Sequence, residues 1–259
     1  MARVERADTA RRAANVAGAM FQLGATVVAG AAIGEVVNEG PRSLVEPALY
    51  TFFVWGPIFA LSLAYATYQV LPGQRENPLL RRVGVFTAGA FFCTGAWSIF
   101  APARQLSLAL AMLVGIFLCL LFAYLRLSRP APGSRKPRRP RAAERWLVAL
   151  PVGLFLGWIT AAVAVSLVSQ AVGLGAIQAR GPAEAALGSV ILVAGGVVAA
   201  LVIRAGRKGP WQGHVVYGAT VLWALLGILV NQYQSSAPVT AAALVAALVV
   251  AITLIRRGA

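Results

Sequence analysis

Eight long apolar segments divide this 259-residue chain, and that division constrains the fold more than any motif in it. A helix needs roughly 17–25 mostly apolar residues to cross the hydrocarbon of a bilayer. The runs 13–37, 47–71, 83–101, 105–125, 146–172, 183–203, 211–231 and 238–255 are each of that kind. Lipid offers no partner to an unpaired peptide group, so each run reads as a helix rather than a strand. Breakers stand where turns are needed: Gly40-Pro41, Pro72-Gly73, Pro102, Pro130 with Pro132-Gly133, Gly181-Pro182 and Gly209-Pro210. The first run exceeds the 7–15 residues expected of a cleavable signal core, and Glu5 and Asp8 interrupt the basic flank before it. It therefore reads as an uncleaved span. The expected fold class is an all-α integral membrane protein with eight transmembrane helices.

Taking the turns as alternately inside and outside, 20 of the 23 Lys/Arg fall on one side. Only Arg42, Arg104 and Arg180 fall on the other. Cytoplasmic loops carry the Lys/Arg excess, so a multi-pass protein of the cell membrane with both termini cytoplasmic is expected. Hydrophobic residues make up 59% of the chain and charged residues 12%, too little polar surface to cover a soluble domain, where about 25% is charged. The net charge of +15 sits in the loops of one side. It is a topology signal and an attraction to anionic membrane lipids, not a nucleic-acid surface. The expected division is a cytoplasmic tail over 1–12, a front unit over 13–175 containing the basic linker 126–145, and three further helices over 176–259.

Catalytic chemistry finds few carriers. No Asp, Glu, Lys or Arg lies mid-span, where a charge costs about 2.5–3.5 kcal/mol on insertion scales and marks transport work. Glu35, Glu46, Tyr50 and His214 are the available groups, and His214 falls at the opposite end from the carboxylates. Neither an enzyme nor a metal site is expected. Cys93 and Cys119 differ in depth and read as packing residues rather than a disulfide. Two GxxxG pairs, Gly30 with Gly34 and Gly153 with Gly157, allow close helix approach. They can serve packing within the bundle, the heavier reading, or a homodimer.

The six tryptophans point furthest. Trp146 and Trp211 open two spans at the basic side, where indoles settle as interfacial anchors. At 1.5 Å rise per residue, Trp55 lies roughly 12 Å and Trp97 roughly 6 Å from the opposite end, with Trp158 and Trp223 near the midplane. Phe52, Trp55, Phe59 and Ser62 share a helical face by spacing, and Pro57 is expected to bend that span. Thr94 and Ser98 set hydroxyls beside Trp97, as Thr160 does beside Trp158. These can satisfy buried indole N–H groups, or the set can line an aromatic pocket in the outer half between spans two, three and five.

Three segments carry a resemblance. Pro47-Ala-Leu-Tyr-Thr-Phe-Phe-Val-Trp55-Gly-Pro57-Ile-Phe59 resembles the second-span signature of the TspO/MBR translocator family, the tryptophan-rich sensory proteins. Ala96-Trp97-Ser98-Ile99-Phe100 resembles its third-span Trp-Ser motif. Pro151 with Leu156-Gly157-Trp158-Ile159-Thr160 resembles its fifth-span segment. Longer bacterial members are more similar still. They share a run like Tyr68-Gln69-Val70-Leu71-Pro72 and added C-terminal spans with a Trp-Ala-Leu-x-Gly stretch, here from Trp223 to Gly227. The resemblance implies a TspO-like five-helix unit with three added helices in a bacterial inner membrane. It also implies a sensory or translocator role and a flat apolar ligand, porphyrin- or haem-like or sterol-like, held between helices. The ligand-binding residues it implies are Trp55, Trp97 and Trp158, with Pro47 and Pro57 shaping the wall and Phe52, Phe59 and Thr94 beside them. Ala48 stands where the family has Gly, and Leu49 or Tyr50 where it has Trp. Leu121–Arg126 also fits a proposed cholesterol-contact pattern, which chance matches as well. The alternative is a structural or assembly subunit that binds no small molecule.

Overall fold

The computed structural model describes residues 2–38, 43–129 and 140–256, with side chains described for 6–30, 43–129 and 140–256. Gly34, Glu35, Gly40-Pro41, Arg42 and most of the basic linker lie outside the described side chains. Eight helices are long and apolar enough to cross a membrane, and no strand occurs among the described residues. They are α1 (Ala2–Asn38), α2 (Trp55–Val70), α3 (Pro78–Phe100), α4 (Leu106–Ser128), α5 (Leu150–Gly173), α6 (Pro182–Gly206), α7 (Trp211–Gln232) and α8 (Ala237–Ile255). The protein is an all-helical, multi-pass membrane protein.

Local chemistry sets the ends. Asn77 caps α3 by accepting from the Leu79 N–H at 2.9 Å, and Pro78 fills the first position, where its missing N–H costs nothing. Pro182 and Pro238 open α6 and α8 in the same way. Gly175, at φ +71°, closes α5, with the Gly175 N–H donating to the Val172 carbonyl at 2.9 Å. Pro151 cannot donate to the carbonyl four residues back, and the chain before it, Arg145–Ala149, widens into a π-helical turn. Span two begins as a 3-10 turn, Leu49–Val54, that becomes α2 at Trp55. Pro57 therefore sits in the first turn of α2. The expected mid-helix position of Pro57 is thus corrected: it follows directly on the 3-10 turn.

The basic segments gather at one end of the bundle. Helix α1 runs through the residues expected as a tail, and Asp8 and Arg11 are buried there. Arg81 donates to Asp8 from Nε at 2.8 Å, Arg11 donates to Gln69 at 2.6 Å, and Asn15 donates to the Gly84 carbonyl at 2.7 Å. Thr87 donates to Asn15 at 2.7 Å and meets the Tyr65 hydroxyl at 2.8 Å. Arg82 bonds the Arg129 carbonyl, Ser128 bonds Gly206, and Arg207 bonds the carbonyls of Thr253 and Arg256. Trp146 and Trp211 meet edge-to-face at this end, ring centres 6.3 Å apart.

Helices α1, α3 and α4 pack in a row, α4 leads to α5, and α5 lies along α7. A Cβ added at Gly153 would strike the Gly213 carbonyl, and one at Gly157 would meet Thr220 at 2.8 Å. This GxxxG pair thus serves contact within the bundle. Gly30 does not, since a Cβ there meets nothing within 4 Å. Tyr124 of the cholesterol-like pattern is 2% exposed and faces inward onto Gly206 and Tyr217. Its ring cannot greet a sterol in the bilayer.

Candidate functional site

At the end of the bundle away from the basic segments, five helices part around a cavity of about 520 Å³. Its walls come from α1 through Thr26 and Gly30, from the segment entering α2 through Glu46, Pro47, Leu49 and Phe52, and from α2 itself through Trp55 and Phe59. Trp97, Ala101 and Pro102 close the α3 side; Leu106, Ala109, Leu110 and Leu113 form the α4 face; Val165, Ser166, Ser169 and Gln170 come from α5. The volume lies inside the 300–1,000 Å³ range of small-molecule sites, and the lining is mostly apolar with a few polar groups.

The indoles converge. Trp55 stacks on Trp97 with ring centres 5.8 Å apart and planes 18° from parallel, and on Phe59 at 5.3 Å and 19°. All three near-parallel rings line the cavity. Trp158 stands behind them, edge-on to Trp55 at 6.2 Å and to Phe52 at 5.5 Å. It is 3% exposed and does not line the cavity. Phe155 closes the same layer against Trp55 at 5.9 Å.

The structure thus brings Trp55, Trp97, Phe52, Phe59 and Pro47 to one hollow and leaves Trp158, Thr94 and Pro57 out of its lining. Thr94 is fully buried, and its hydroxyl donates to the Ala90 carbonyl at 2.8 Å. Thr160 likewise turns back to Leu156 at 2.8 Å. Threonines in helices commonly bond the carbonyl four residues back, so these hydroxyls do not serve the neighbouring indoles. Ser98 donates to the Thr94 carbonyl at 3.1 Å and also meets Thr26 of α1 at 2.7 Å, beside the cavity.

The α1 and α4 contributions and the polar end of α5 were not anticipated from sequence. Leu106, Ala109, Leu110 and Leu113 share a face at helical spacing, but Leu and Ala carry no signal against a lipid-facing background. Ser166, Ser169 and Gln170 did offer one, as a polar cluster closing an otherwise apolar span. Gln170 donates to Ser107 at 2.7 Å, joining α5 to α4 at the cavity mouth.

Helices α6 and α7 hold the segment that enters α2. Glu184, fully buried at the start of α6, accepts from the Ser43 hydroxyl at 2.5 Å, from the Leu44 N–H at 2.8 Å and from the Arg180 N–H. From α7, Asn231 donates to the Glu46 carbonyl at 2.9 Å, and the Trp223 indole donates to the Thr51 carbonyl at 3.1 Å. The Ala48 N–H donates to the Gly227 carbonyl at 3.0 Å, and a Cβ on Gly227 would collide with Thr51. Trp223 and Gly227, the two ends of the Trp-Ala-Leu-x-Gly stretch, are therefore the points where α7 seats the cavity wall. A second void, lined by α5, α6 and α7, measures only about 20 Å³.

The acid–base candidates do not assemble. Glu46 is at the cavity, Tyr50 lies edge-on to Trp223 at 5.3 Å, and His214 is near the start of α7 at the other end. Among the described residues no group of three or more His, Cys, Asp or Glu could hold a metal.

A family model described as TSPO-like protein matches residues 14–256. The chain belongs to that family. No curated protein and no solved structure matches it.

Proposed function

We propose that this member of the TSPO-like family is a sensory or translocator-type membrane protein that binds a flat apolar ligand, porphyrin- or sterol-like, in the five-helix cavity. The observation that carries this reading is the cluster of Trp55, Trp97 and Phe59, three rings in near-parallel offset stacks that line a hollow of about 520 Å³. A planar apolar guest gains most by lying face to face or offset against such rings. Ser166, Ser169, Gln170 and Glu46 at the mouth would receive polar substituents at its edge. In this reading Trp158 and Phe155 position Trp55 from behind, and Pro47 and Phe52 shape the entrance side.

The lysine and arginine distribution supports a cytoplasmic basic end, and hence a cavity in the outer half of the membrane. The division into a front unit over 13–175 and a bracing unit over 176–259 follows the same reading. The front unit supplies every lining residue, and α6 and α7 fasten one wall.

The test is titration of the purified protein with protoporphyrin IX, haemin and a fluorescent sterol, following tryptophan emission. Saturable quenching is expected with at least one of them. Trp55→Ala and Trp97→Ala should each weaken it about 5- to 10-fold, the loss of a stacking contact worth roughly 1 kcal/mol or somewhat more. Absence of saturable quenching with all three, in protein of normal melting behaviour, would leave the structural-subunit reading in its place.

A further inference from the structure

We propose that the ends of α3 and α4 on the basic side form a binding site for the phosphate of an anionic phospholipid, with Arg82 and Arg126 as its ligands. The two helices run antiparallel in regular register. Cys93 faces Gly115, Gly89 faces Cys119, Phe86 faces Phe122, and Arg82 faces Arg126. Steps of four, three and four on one helix meet equal steps on the other, so the four pairs make a continuous ladder. The small pairs bring the backbones close, since a Cβ on Gly89 would sit 2.9 Å from the Cys119 sulfur. The phenyl rings then part, 5.6 Å between centres, and the last rung sets two cations against each other.

Like charges directly opposed across a helix pair repel. Here they are held in place. Arg82 donates through both terminal nitrogens to the Arg129 carbonyl at 3.0 Å, and Arg126 donates to the Arg82 carbonyl at 3.0 Å. The Arg126 guanidinium also lies 4.4 Å from the Phe86 ring centre. Each guanidinium carries five N–H donors in a fixed fork, so both keep donors to spare. Among the described residues no carboxylate pairs with either of them. Asp8 pairs with Arg11 and Arg81 instead, and the linker 130–139 contains no Asp or Glu.

A phosphate fits the rung chemically, because guanidinium forks match its oxygens in bidentate geometry. A lipid rather than a free ion fits it sterically. The ladder continues from the arginines into an apolar face with Phe122, Val85, Leu118 and Phe92 all exposed, a track for acyl chains. The site lies on the outside of the bundle at the basic end, remote from the aromatic cavity, and its fate is independent of ligand binding there.

The experiment uses the full-length chain in neutral detergent, titrated with phosphatidylglycerol or phosphatidylcholine and read by native mass spectrometry. Phosphatidylglycerol is expected to be retained at least tenfold better. Each of Arg82→Gln and Arg126→Gln should weaken it about fivefold, while Arg204→Gln with Lys208→Gln, at the same end, should leave it unchanged. Arg126→Gln, which gives up one hydrogen bond, carries the test should Arg82→Gln, which gives up two, not fold. Millimolar glycerol phosphate should not compete. Equal retention of the two lipids, an unchanged preference in Arg126→Gln, or full competition by glycerol phosphate would each overturn the assignment, the last in favour of a free phosphate.

Discussion

Gly30 occupies a place where a side chain would have room. It lines the cavity, and among the described residues a Cβ built on it touches nothing within 4 Å. Gly30→Val should therefore thicken the α1 wall without moving a neighbour. Unfolding in detergent is expected to stay within about 0.5 kcal/mol of the parent, while porphyrin or sterol quenching weakens at least tenfold. Unchanged affinity in that variant would place the ligand elsewhere. Gly157 makes the contrast, because its missing side chain is what lets α7 approach. Both glycines belonged to GxxxG patterns in the sequence, which cannot tell a helix contact from an open wall. Among the aromatics, spacing placed Trp55 and Phe59 on one face correctly. It could not rank Trp158 against them, because depth along a helix axis says nothing of rotation about it.

At the scale of elements, the wall that enters α2 is a composite of front and rear helices. Glu184 alone accepts from Ser43, Leu44 and Arg180. Glu184→Ala removes the acceptor of the buried Ser43 hydroxyl and Leu44 N–H, at about 1–3 kcal/mol for each one left unsatisfied. The melting temperature should fall by several degrees, and the cavity ligand should bind more weakly because Glu46 and Pro47 lose their footing. Glu184→Gln keeps an acceptor and should recover part of both. A variant that melts early yet binds as tightly as the parent would disconnect α6 from the site. The starts of α6 and α7 were readable from Gly181-Pro182 and Gly209-Pro210, whereas α3 begins at Pro78, five residues before the apolar run 83–101. The 3-10 entry into α2 was not, because Pro57 fits the first turn of a helix as well as a kink.

For the molecule as a whole, the rear helices are predicted to be indispensable. A chain ended at 175 would lose the α7 backbone against Gly153 and Gly157 and every partner of Ser43, Leu44 and Glu46 supplied by α6 and α7. Helix association in lipid rests on such close packing and hydrogen bonding rather than on hydrophobic drive. The truncated chain should aggregate in mild detergent, and a monodisperse product with normal quenching would show the front helices to be self-sufficient. Eight spans and the gathering of basic segments at one end were legible, since both follow from counts along the chain. The α5–α7 seam was not, because pairing between distant helices leaves no local mark beyond two glycines. The fastened segment 43–51 has one last consequence. A hollow whose outline is set before anything arrives spends little on ordering itself when filled, so it selects guests by contour and turns away those that would need it to stretch.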